Sequence, residues 1–404
     1  MSAAESLPAP TISLNEAADC VWDALVVGAG PAGAFAAREL AREGLRVLLV
    51  DKARFPRSKV CGCCLNGAAL ATLADRGLAL LPARLGARRL ESFHVATAGH
   101  HATVPLPAGV ALSRERLDAA LIGEAIRAGC EFLPQTQAAL GQDTQASRNV
   151  TLRCHSHSAT TAARVVLAAD GLAGGLLKHE PGCETRIARR PRIGLATILD
   201  QAPPAYHAGT IFMACARRGY VGLVRLEDGR LDLAAALEPF FVRRVGGPWS
   251  AVDAVLREAG LSPIEGLDRQ VWRGTPTLTR HRALPAAQRV FALGDAAGYV
   301  EPFTGEGIAW ALSSAVAVKP FVVQAVDRWH AALPRAWARR LATLAGRRRR
   351  LCRMLTLLLR VGPVTGLAIR ALGRAPGLAG PWVRWLNRPW QDSGSMSPCV
   401  ERAG

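Results

Sequence analysis

The chain has 404 residues, half of them hydrophobic and 5% aromatic, which suits one large α/β unit or two domains that share a core. Its 50 lysines and arginines outnumber its 32 acids, and the net charge of +18 admits nucleic acid, an anionic membrane surface or an acidic ligand as a partner. The ten cysteines follow no secretory signal, so we expect reduced thiols rather than a disulfide framework.

A glycine-rich run at residues 28–33, GAGPAG, lies between a predicted buried strand at 24–27 and a predicted helix at 31–42. Gly28 would allow a sharp turn, Gly30 would let the backbone approach a pyrophosphate, and Gly33 would let the helix lie close to the strand. A second apolar run at 46–50 ends in Asp51, where a carboxylate can accept hydrogen bonds from a ribose. Together these features predict a dinucleotide site with the phosphates at the helix N-terminus.

A second glycine-rich run follows a predicted strand at 288–293 and precedes a long predicted helix that starts near residue 305. Asp295 can hold a ribityl hydroxyl there, and the amides around residues 304–307 can face the electron-rich edge of a flavin ring. A protein that binds only a nicotinamide cofactor needs no such segment. We therefore predict FAD as the bound cofactor.

Five motifs occur in the order typical of one family: GAGPAG (28–33), FPRSKVCG (55–62), SRERLDAALIGEAIRAG (113–129), AADG (168–171) and GDAAGYVEPFTGEGI (294–308). With them, residues 22 to 320 resemble the FAD-dependent oxidoreductases of the para-hydroxybenzoate-hydroxylase type, and among these the geranylgeranyl-reductase-like branch. The resemblance implies NADH or NADPH as a transient electron donor. It implies cofactor contacts by Gly28, Gly30, Pro31, Ala32, Gly33, Asp51, Lys52, Lys59, Cys61, Gly62, Arg114, Asp170, Gly171, Gly294, Asp295, Pro302, Gly305, Glu306, Gly307 and Ile308.

Several of these residues have a second interpretation. Arg114 lies in a predicted first helical turn, where a cation is unfavourable unless an anion such as a phosphate lies nearby, but it could also be a surface arginine. Asp170 and Gly171 could form a simple turn. Cys61 could assist catalysis beside the flavin, whereas Cys63 and Cys64 could be buried structural thiols. The spacing of the three cysteines provides no fourth ligand for zinc, so we expect no metal.

The remaining strands predict a mainly antiparallel sheet over the far side of the flavin, with a substrate cleft between sheet and ring. We expect these strands at residues 92–104, 150–155, 192–199, 210–214, 220–226 and 231–237. Phe212, Met213 and Tyr220 could line the cleft or simply pack in the core. The histidines have no recognisable catalytic spacing.

The predicted fold class is α/β with an α+β substrate layer: a Rossmann-like FAD-binding domain with a parallel sheet, an inserted mainly antiparallel sheet and C-terminal helices. The predicted organisation is a flexible leader at 1–20, FAD-binding segments at 21–90, 109–180 and 281–328, substrate-sheet segments at 91–108 and 181–280, and a basic helical extension at 329–404.

Residues 329–390 contain thirteen arginines and no acid, interspersed with leucines and tryptophans. This pattern favours a pair of interfacial helices on an anionic membrane and a cytoplasmic protein held at the inner face of that membrane. A solvated cap on the cofactor domain, a dimer face and a docking site for an acidic carrier protein that tethers the substrate are alternatives. Nucleic acid is disfavoured because the segment is rich in leucine.

From these observations we predict an FAD-dependent monooxygenase that hydroxylates a small apolar molecule, such as an aromatic, quinone-like or polyketide compound. The alternative is a reductase of isoprenoid or lipid double bonds. Prenyl reductases carry Tyr-x-Trp-x-Phe-Pro where this chain has GYVGLVRL at 219–226, which weakens that alternative. A flavoprotein that has lost catalysis and acts at a membrane surface is a third hypothesis.

Overall fold

The computed structural model describes residues 7–301, 303 and 305–390. This part of the chain forms a large sheet, an antiparallel sheet, two short accessory sheets and helices that flank them. The predicted α/β class, with a parallel sheet, an antiparallel layer and C-terminal helices, is confirmed.

The large sheet is built on parallel apolar strands. Val21–Val27 lies in the middle and pairs with Val47–Val50 on one side and with His157–Ala168 on the other. Glu131–Leu133 and Val290–Ala292 extend the two sides, again in parallel. The central strands are buried on both faces, which explains their continuous runs of valine and leucine. All five strands end at the same edge of the sheet.

Helices pack against this sheet. Pro31–Ala41 is buried along its whole length and packs against Arg114–Arg127 and Gly307–Asp327. The other helices in the described residues are Leu14–Ala18, Gly67–Asp75, Leu81–Arg84, Pro239–Arg244, Pro248–Ala259, Leu333–Leu358, Gly362–Arg374 and Gly380–Leu386.

An antiparallel hairpin, Thr136–Asp143 with Arg148–Cys154, also belongs to the large sheet. We predicted the strand near 150–155 for the antiparallel layer, and that assignment was wrong. Cys154 pairs with His157 across a two-residue turn, so the strand must lie beside His157–Ala168, which continues into the middle of the large sheet.

The antiparallel sheet has one face on the helix Pro248–Ala259 and the other toward the large sheet. A single strand was predicted at 92–104, but the chain turns at Ala98 and Gly99, both with positive φ, and forms a hairpin. Thr210–Ala216 pairs with the first strand of that hairpin in parallel. Across the sheet the strands follow the order Arg273–Thr277, Ile193–Leu199, Leu231–Leu237, Gly219–Arg225, Thr210–Ala216, Ser92–Thr97 and His100–Pro105.

Two short sheets complete the strand content of the described residues. They consist of Cys64–Asn66 and Arg88–Arg89 on either side of Gly109–Ala111, and of Thr185–Ile187 paired with Arg280–Arg282. Ala286–Ala287 adds a short antiparallel edge to the large sheet.

The predicted flexible leader is partly wrong. Residues 1–6 lie outside the described part of the chain, but Leu14–Ala18 is a helix that begins at Ser13 with a capping box to Glu16. Ala17 is buried, and its carbonyl accepts a hydrogen bond from the Trp22 indole at 3.0 Å. The segment before the first strand is therefore docked on the sheet.

The C-terminal segment is helical, as predicted. Leu333–Leu358 and Gly362–Arg374 together are long and apolar enough to cross a membrane, but the chain bends by 108° between them. Gly307–Asp327 passes the same test of length and composition, and 67% of its apolar window is buried inside the protein. Gly307–Asp327 is accordingly a core helix of the fold.

Candidate functional site

Glycine or acidic residues follow four of the parallel strands. Because these strands end at one edge of the large sheet, the loops after them meet, although the motifs are far apart in the sequence. The residues concerned are Gly28 after Val21–Val27, Asp51 after Val47–Val50, Asp170 after His157–Ala168, and Gly294 with Asp295 after Val290–Ala292.

These loops form one wall of a cavity of about 1370 Å³ that continues between the two main sheets. Ordinary ligand pockets measure roughly 300–1,000 Å³, so there is room for a dinucleotide and a second molecule. Among the predicted residues, the wall contains Gly28, Gly30, Pro31, Ala32, Asp51, Lys52, Lys59, Cys61, Gly62, Arg114, Asp170, Gly171, Gly294, Asp295, Gly305, Gly307 and Ile308. Pro302 lies outside the described residues.

Two glycines of the first motif have steric reasons to be glycine. Gly28 has φ +105°, and a Cβ there would lie 2.3 Å from the carbonyl oxygen of Ala169. A Cβ on Gly33 would lie 1.8 Å from the carbonyl oxygen of Gly28. Gly33 is not in the cavity wall. It contributes indirectly, by letting the helix Pro31–Ala41 approach the strand.

Asp51 is held beside the first loop by the backbone. Its Oδ2 accepts a hydrogen bond from the Ala29 amide at 2.7 Å, and its Oδ1 accepts one from the Ala53 amide at 2.8 Å. Arg57 Nη2 lies 3.3 Å from Oδ2. The carboxylate keeps acceptor capacity for ribose hydroxyls, since each oxygen can accept more than one hydrogen bond.

Arg114 is buried beside this loop rather than solvated, so the interpretation as a surface arginine was wrong. Its side chain is 10% exposed. Ser113 caps the helix, and the guanidinium donates two parallel hydrogen bonds to Asp118, both at 2.8 Å. The anion that the first helical turn requires is thus supplied in part by Asp118, one turn further along the same helix.

Cys61 lies in the cavity wall between Cys63 and Arg114. A hydrogen bond with Cys63 and the charge of Arg114 outweigh the effect of burial and lower the pKa of Cys61 to about 5. A lowered thiol pKa of this kind is typical of reactive cysteines. Burial has the opposite effect on Cys64 and raises the pKa of its thiol.

Asp170 carries a buried oxygen that needs a partner. Its Oδ2 accepts a hydrogen bond from the Leu176 amide at 2.9 Å, whereas its Oδ1 is buried and has no hydrogen-bond partner among the described residues. Burial raises the pKa of this carboxyl. A hydroxyl of a ligand in the cavity would satisfy the free oxygen.

Asp295 faces the same cavity from the fourth loop. Burial raises the pKa of this carboxyl to about 6, although Lys59 and Arg114 lower it in part. Burial also lowers the pKa of Lys59, which lies near the two arginines Arg57 and Arg114. A ribityl hydroxyl would give Asp295 the donor that its charged form requires. The glycine cradle, the acids and the basic side chains therefore fit FAD.

The side chain of Glu306, a residue predicted to contact the cofactor, is directed away from the cavity. Its carboxylate lies outside the cavity wall and accepts a hydrogen bond from Arg348 Nη1 at 2.6 Å. Arg348 also donates to the carbonyls of Leu386 and Arg388. Glu306 therefore fixes the C-terminal helices to the loop that precedes Gly307–Asp327.

The far end of the cavity is apolar. Met213 and Tyr220 are in its wall, but Phe212 packs on Tyr206 on the opposite face of the sheet, because neighbouring residues of a strand point to opposite faces. Phe93 and Phe303 line the cavity in its place, and their rings are 6.3 Å apart, edge to face.

Two groups of residues were missed from the sequence. The C-terminal helices contribute Leu355, Leu372, Val383 and Leu386 to the cavity wall, and no local pattern indicates this long-range packing. Asp232 is buried in the antiparallel sheet behind Cys61. A signal for Asp232 was present, since it is an acid within the otherwise apolar strand LDLAAAL at Leu231–Leu237.

The chain matches known proteins along most of its length. A family model described as an FAD binding domain matches residues 22–220. A menaquinone reductase from Mycobacterium tuberculosis is 27% identical over 441 residues, which cover 97% of this chain and 99% of that protein. Digeranylgeranylglycerophospholipid reductase 1 from Methanothermobacter thermautotrophicus is 26% identical over 321 residues, covering 71% of this chain and 73% of that protein.

A solved structure shares the fold. It is a geranylgeranyl bacteriochlorophyll reductase-like protein from Thermoplasma acidophilum, with a TM-score of 0.73 and 17% identity over 88% of this chain and 91% of that one. The predicted FAD cofactor agrees with the family match and with the cavity loops. Residues 22–220 therefore match the FAD binding domain family, and the chain as a whole is similar to the reductases named above, which fits the geranylgeranyl-reductase-like resemblance of its motifs.

Proposed function

We propose that the protein reduces a carbon–carbon double bond in a long isoprenoid-type lipid, with a proton delivered through Cys61. The observation that carries this proposal is the position of Cys61 in the wall of a cavity that joins the cofactor loops to an apolar chamber, with Arg114 in the same wall. Relatives named as reductases of menaquinone and of a geranylgeranyl lipid support it.

Reduced FAD would supply the hydride to one carbon, with NADH or NADPH as the proposed source of electrons. The other carbon then needs a proton from the protein. Cys61 lies in the wall where the cofactor loops meet the apolar part of the cavity. As a thiol, Cys61 would donate this proton as a general acid, and the charge of Arg114 would stabilise the thiolate that remains.

The shape of the cavity supports a long apolar substrate. Aromatic and aliphatic side chains line it from Tyr220 and Phe93 as far as Leu355 and Leu372 of the C-terminal helices. Such a wall offers few partners for a polar substrate and a large apolar area for a lipid chain.

The hydroxylase favoured by the sequence stays a prediction. Transfer of an oxygen atom gives no role to a thiolate paired with Arg114, so we rank the reductase above it. A flavoprotein without catalysis is ranked lowest, since the cavity wall includes both cofactor loops and an apolar chamber.

The deciding experiment is a turnover assay with the FAD-loaded protein, NADH or NADPH, and either menaquinone or a geranylgeranyl lipid, with products analysed by mass spectrometry. A gain of two hydrogens that Cys61→Ser abolishes and Cys64→Ser retains would support the reductase. A gain of one oxygen that requires air would overturn it in favour of the hydroxylase. Flavin that no donor reduces would indicate the non-catalytic alternative.

We also propose that the C-terminal helices rest on an anionic membrane surface, from which the substrate enters. Large apolar side chains are exposed there and lie beside the residues that wall the cavity. The exposed set is Met354, Leu357, Leu358, Val361, Val364, Leu367, Leu378 and Trp382. The thirteen arginines of residues 329–390 complement anionic headgroups, although Arg348 points inward.

Co-sedimentation with lipid vesicles tests this surface. We expect binding to vesicles that contain phosphatidylglycerol, weaker binding to pure phosphatidylcholine, and loss of binding for the double variant Leu357→Glu, Leu367→Glu. Val271 is 80% exposed outside these helices, so Val271→Glu is the matched control and should bind normally. A protein that ignores vesicles but dimerises or captures an acidic carrier protein through these leucines would contradict the membrane proposal.

A further inference from the structure

The chain has three tyrosines, and two of them lie in the cavity wall. Tyr206 packs on the other face of the antiparallel sheet, where its hydroxyl donates a hydrogen bond to the carbonyl of Ser262. The hydroxyls of Tyr220 and Tyr299 have no hydrogen-bond partner within the described part of the chain. Because a buried tyrosine hydroxyl usually finds a partner, we expect a molecule in the cavity to provide one.

Tyr220 is fixed in the apolar part of the cavity wall. It lies in the strand Gly219–Arg225 and is 7% exposed. Its ring meets the ring of Phe303 edge to face, with 5.1 Å between the centres, and the Arg192 guanidinium lies over the same ring at 5.6 Å. The Tyr220 hydroxyl is therefore held in place before any ligand arrives.

Tyr299 reaches the cavity from the loop that follows Asp295. Its amide donates a hydrogen bond to the Arg280 carbonyl at 2.8 Å, and its carbonyl accepts one from the Arg280 amide at 2.7 Å. Its side chain packs in the same apolar cluster as Tyr220 and Phe303. Burial raises the pKa of both tyrosine hydroxyls well above the ordinary value, so both stay protonated and can donate a hydrogen bond.

The sheet beside Tyr220 presents small residues to the cavity. Ala236 pairs directly with Tyr220 and Ala234 pairs with Gly222, so all four face the same side, and all four are in the wall. A Cβ on Gly222 would lie 3.3 Å from Met213 Cε, so Met213 lies over that glycine. The shallow patch at the two alanines measures roughly 5 by 7 Å, from the spacing of neighbouring strands and of alternate residues. A planar ring can lie flat on it.

The charged groups of the wall lie elsewhere. Lys52, Arg57, Lys59 and Arg114 are in or beside the cofactor loops, and Arg273 lies in the outermost strand of the antiparallel sheet. Arginine and lysine are the side chains that bind phosphate. Two neutral hydroxyl donors on an apolar wall instead suit the uncharged oxygens of a carbonyl compound.

We propose that Tyr220 and Tyr299 hold the head group of a quinone, by donating hydrogen bonds to its carbonyl oxygens while its ring lies on Ala234 and Ala236. An isoprenoid tail would then run past Phe93 toward Leu372 of the C-terminal helices, since both line the cavity and belong to the same apolar cluster as Tyr220. This inference rests on the proposed function. It selects a quinone with an isoprenoid tail, rather than a geranylgeranyl glycerolipid, as the substrate.

Binding of 2-methyl-1,4-naphthoquinone to the FAD-loaded protein tests the site without turnover, with dissociation constants from titration calorimetry. Tyr220→Phe and Tyr299→Phe each remove one donor and should weaken binding about three- to tenfold. Both variants should bind 2-methylnaphthalene, which has the same ring without the carbonyl oxygens, as the wild type does. Tyr206→Phe is the matched control and should bind the quinone normally, because that hydroxyl is bonded to Ser262.

Ala234→Leu tests the patch on which the ring would lie. The larger side chain would fill that space and should weaken binding of both probes by about tenfold or more, with bound FAD retained. Absence of quinone binding by the wild type, equal quinone binding by the wild type and both Phe variants, or an equal loss for 2-methylnaphthalene would overturn the site. Weaker FAD binding with unchanged quinone binding would assign the hydroxyls to the cofactor and overturn it as well.

Turnover separates this site from the proposed function. Tyr220→Phe should raise KM for menaquinone about three- to tenfold with kcat within about twofold of wild type, and should leave KM for a geranylgeranyl lipid unchanged. If the wild type reduces no double bond, the proposed function fails, and the calorimetric comparison still decides whether the quinone site exists. A protein that reduces the geranylgeranyl lipid but binds no quinone keeps the proposed function and loses this site.

Discussion

Arg192 and Glu301 form an ion pair, with 2.7 Å between Nη1 and Oε1, and the two side chains are 0% and 2% exposed. The pair joins the antiparallel sheet to the loop between Asp295 and Gly305. Arg192 Nε and Nη2 have no hydrogen-bond partner among the described residues, and the guanidinium carbon lies 5.6 Å from the centre of the Tyr220 ring. Burial of the Arg192 charge is therefore energetically unfavourable unless the Glu301 carboxylate balances it.

Glu301→Gln should destabilise the protein by about 3–5 kcal/mol, because it leaves the buried Arg192 charge without its counter-ion. Urea titrations of the wild type and the variant measure this loss as a difference in the free energy of unfolding. Asp253→Asn is the matched control, since Asp253 pairs with Arg257 at 2.7 Å on the surface, and it should cost less than about 1 kcal/mol. Equal losses of stability in both variants would contradict the role of Glu301 as the counter-ion of Arg192.

Gly33→Ala should destabilise the protein by roughly 3 kcal/mol or more and abolish FAD binding, because the new Cβ would overlap the Gly28 carbonyl oxygen. Gly346→Ala is the control, because Gly346 lies in the helix Leu333–Leu358 with no atom within 4 Å of a Cβ position. That change should stabilise the helix by about 0.5–1 kcal/mol. Thermal unfolding measures the stability of the two variants, and flavin absorbance measures how much FAD each one binds.

Asp295→Asn should change stability and cofactor binding in opposite directions. Burial raises the pKa of this carboxyl from 3.8 to about 6, so the protein without FAD binds the proton more tightly than the unfolded chain does. The corresponding stability is present below pH 4 and is lost as the pH rises toward 6. At pH 7 the variant without FAD should therefore be more stable than wild type by about 1–3 kcal/mol.

FAD binding by the same variant should weaken about 10- to 100-fold, because a charged acceptor for a ligand hydroxyl is lost. Titration of the protein with FAD, followed by flavin fluorescence, gives the dissociation constant. Asp268→Asn, in a short helical turn outside the cavity wall, should alter neither quantity. Tighter FAD binding by Asp295→Asn would exclude the assigned role.

Glu306→Gln should loosen the C-terminal helices without unfolding the sheets. Arg348 lies between the rings of Trp385 and Trp390, at 5.0 and 4.8 Å from their centres, and its charge is shared with Glu306. Amide hydrogen exchange should accelerate in residues 376–388 and stay unchanged in the large sheet. Glu43→Gln, which breaks an exposed pair with Lys319, should leave the exchange of residues 376–388 unaffected.

The cofactor loops could be predicted because their signals are local. Gly28 and Asp51 come directly after strands. The role of Gly28 depends on its own backbone conformation, and the role of Asp51 depends on the order of the strands in the sheet. Phe212 and Met213 show the opposite case, since the strand TIFMACA is apolar on both faces and its pattern does not say which face meets the cavity.

Contacts between residues that are far apart in the sequence explain the other differences between prediction and structure. Glu306 lies in a cofactor motif, but its partner Arg348 comes from a helix that the motif does not indicate. Asp232 lies in the antiparallel sheet and Cys63 lies just before the strand Cys64–Asn66, and only the fold brings them together. A buried acid in an apolar strand could have been noticed from the sequence, whereas the identity of the group that it faces could not.

The loops that surround the FAD site follow the first, second, fourth and last of the five parallel strands of the large sheet, and the last loop leads into the helix Gly307–Asp327. During synthesis, the ribosome must therefore release the segment that contains Gly294 and Asp295 before a complete pocket can exist. FAD thus binds late in biosynthesis, to a chain whose antiparallel sheet has already emerged. Flavin content in a cell would consequently report how much of this protein has finished folding rather than how much has been started.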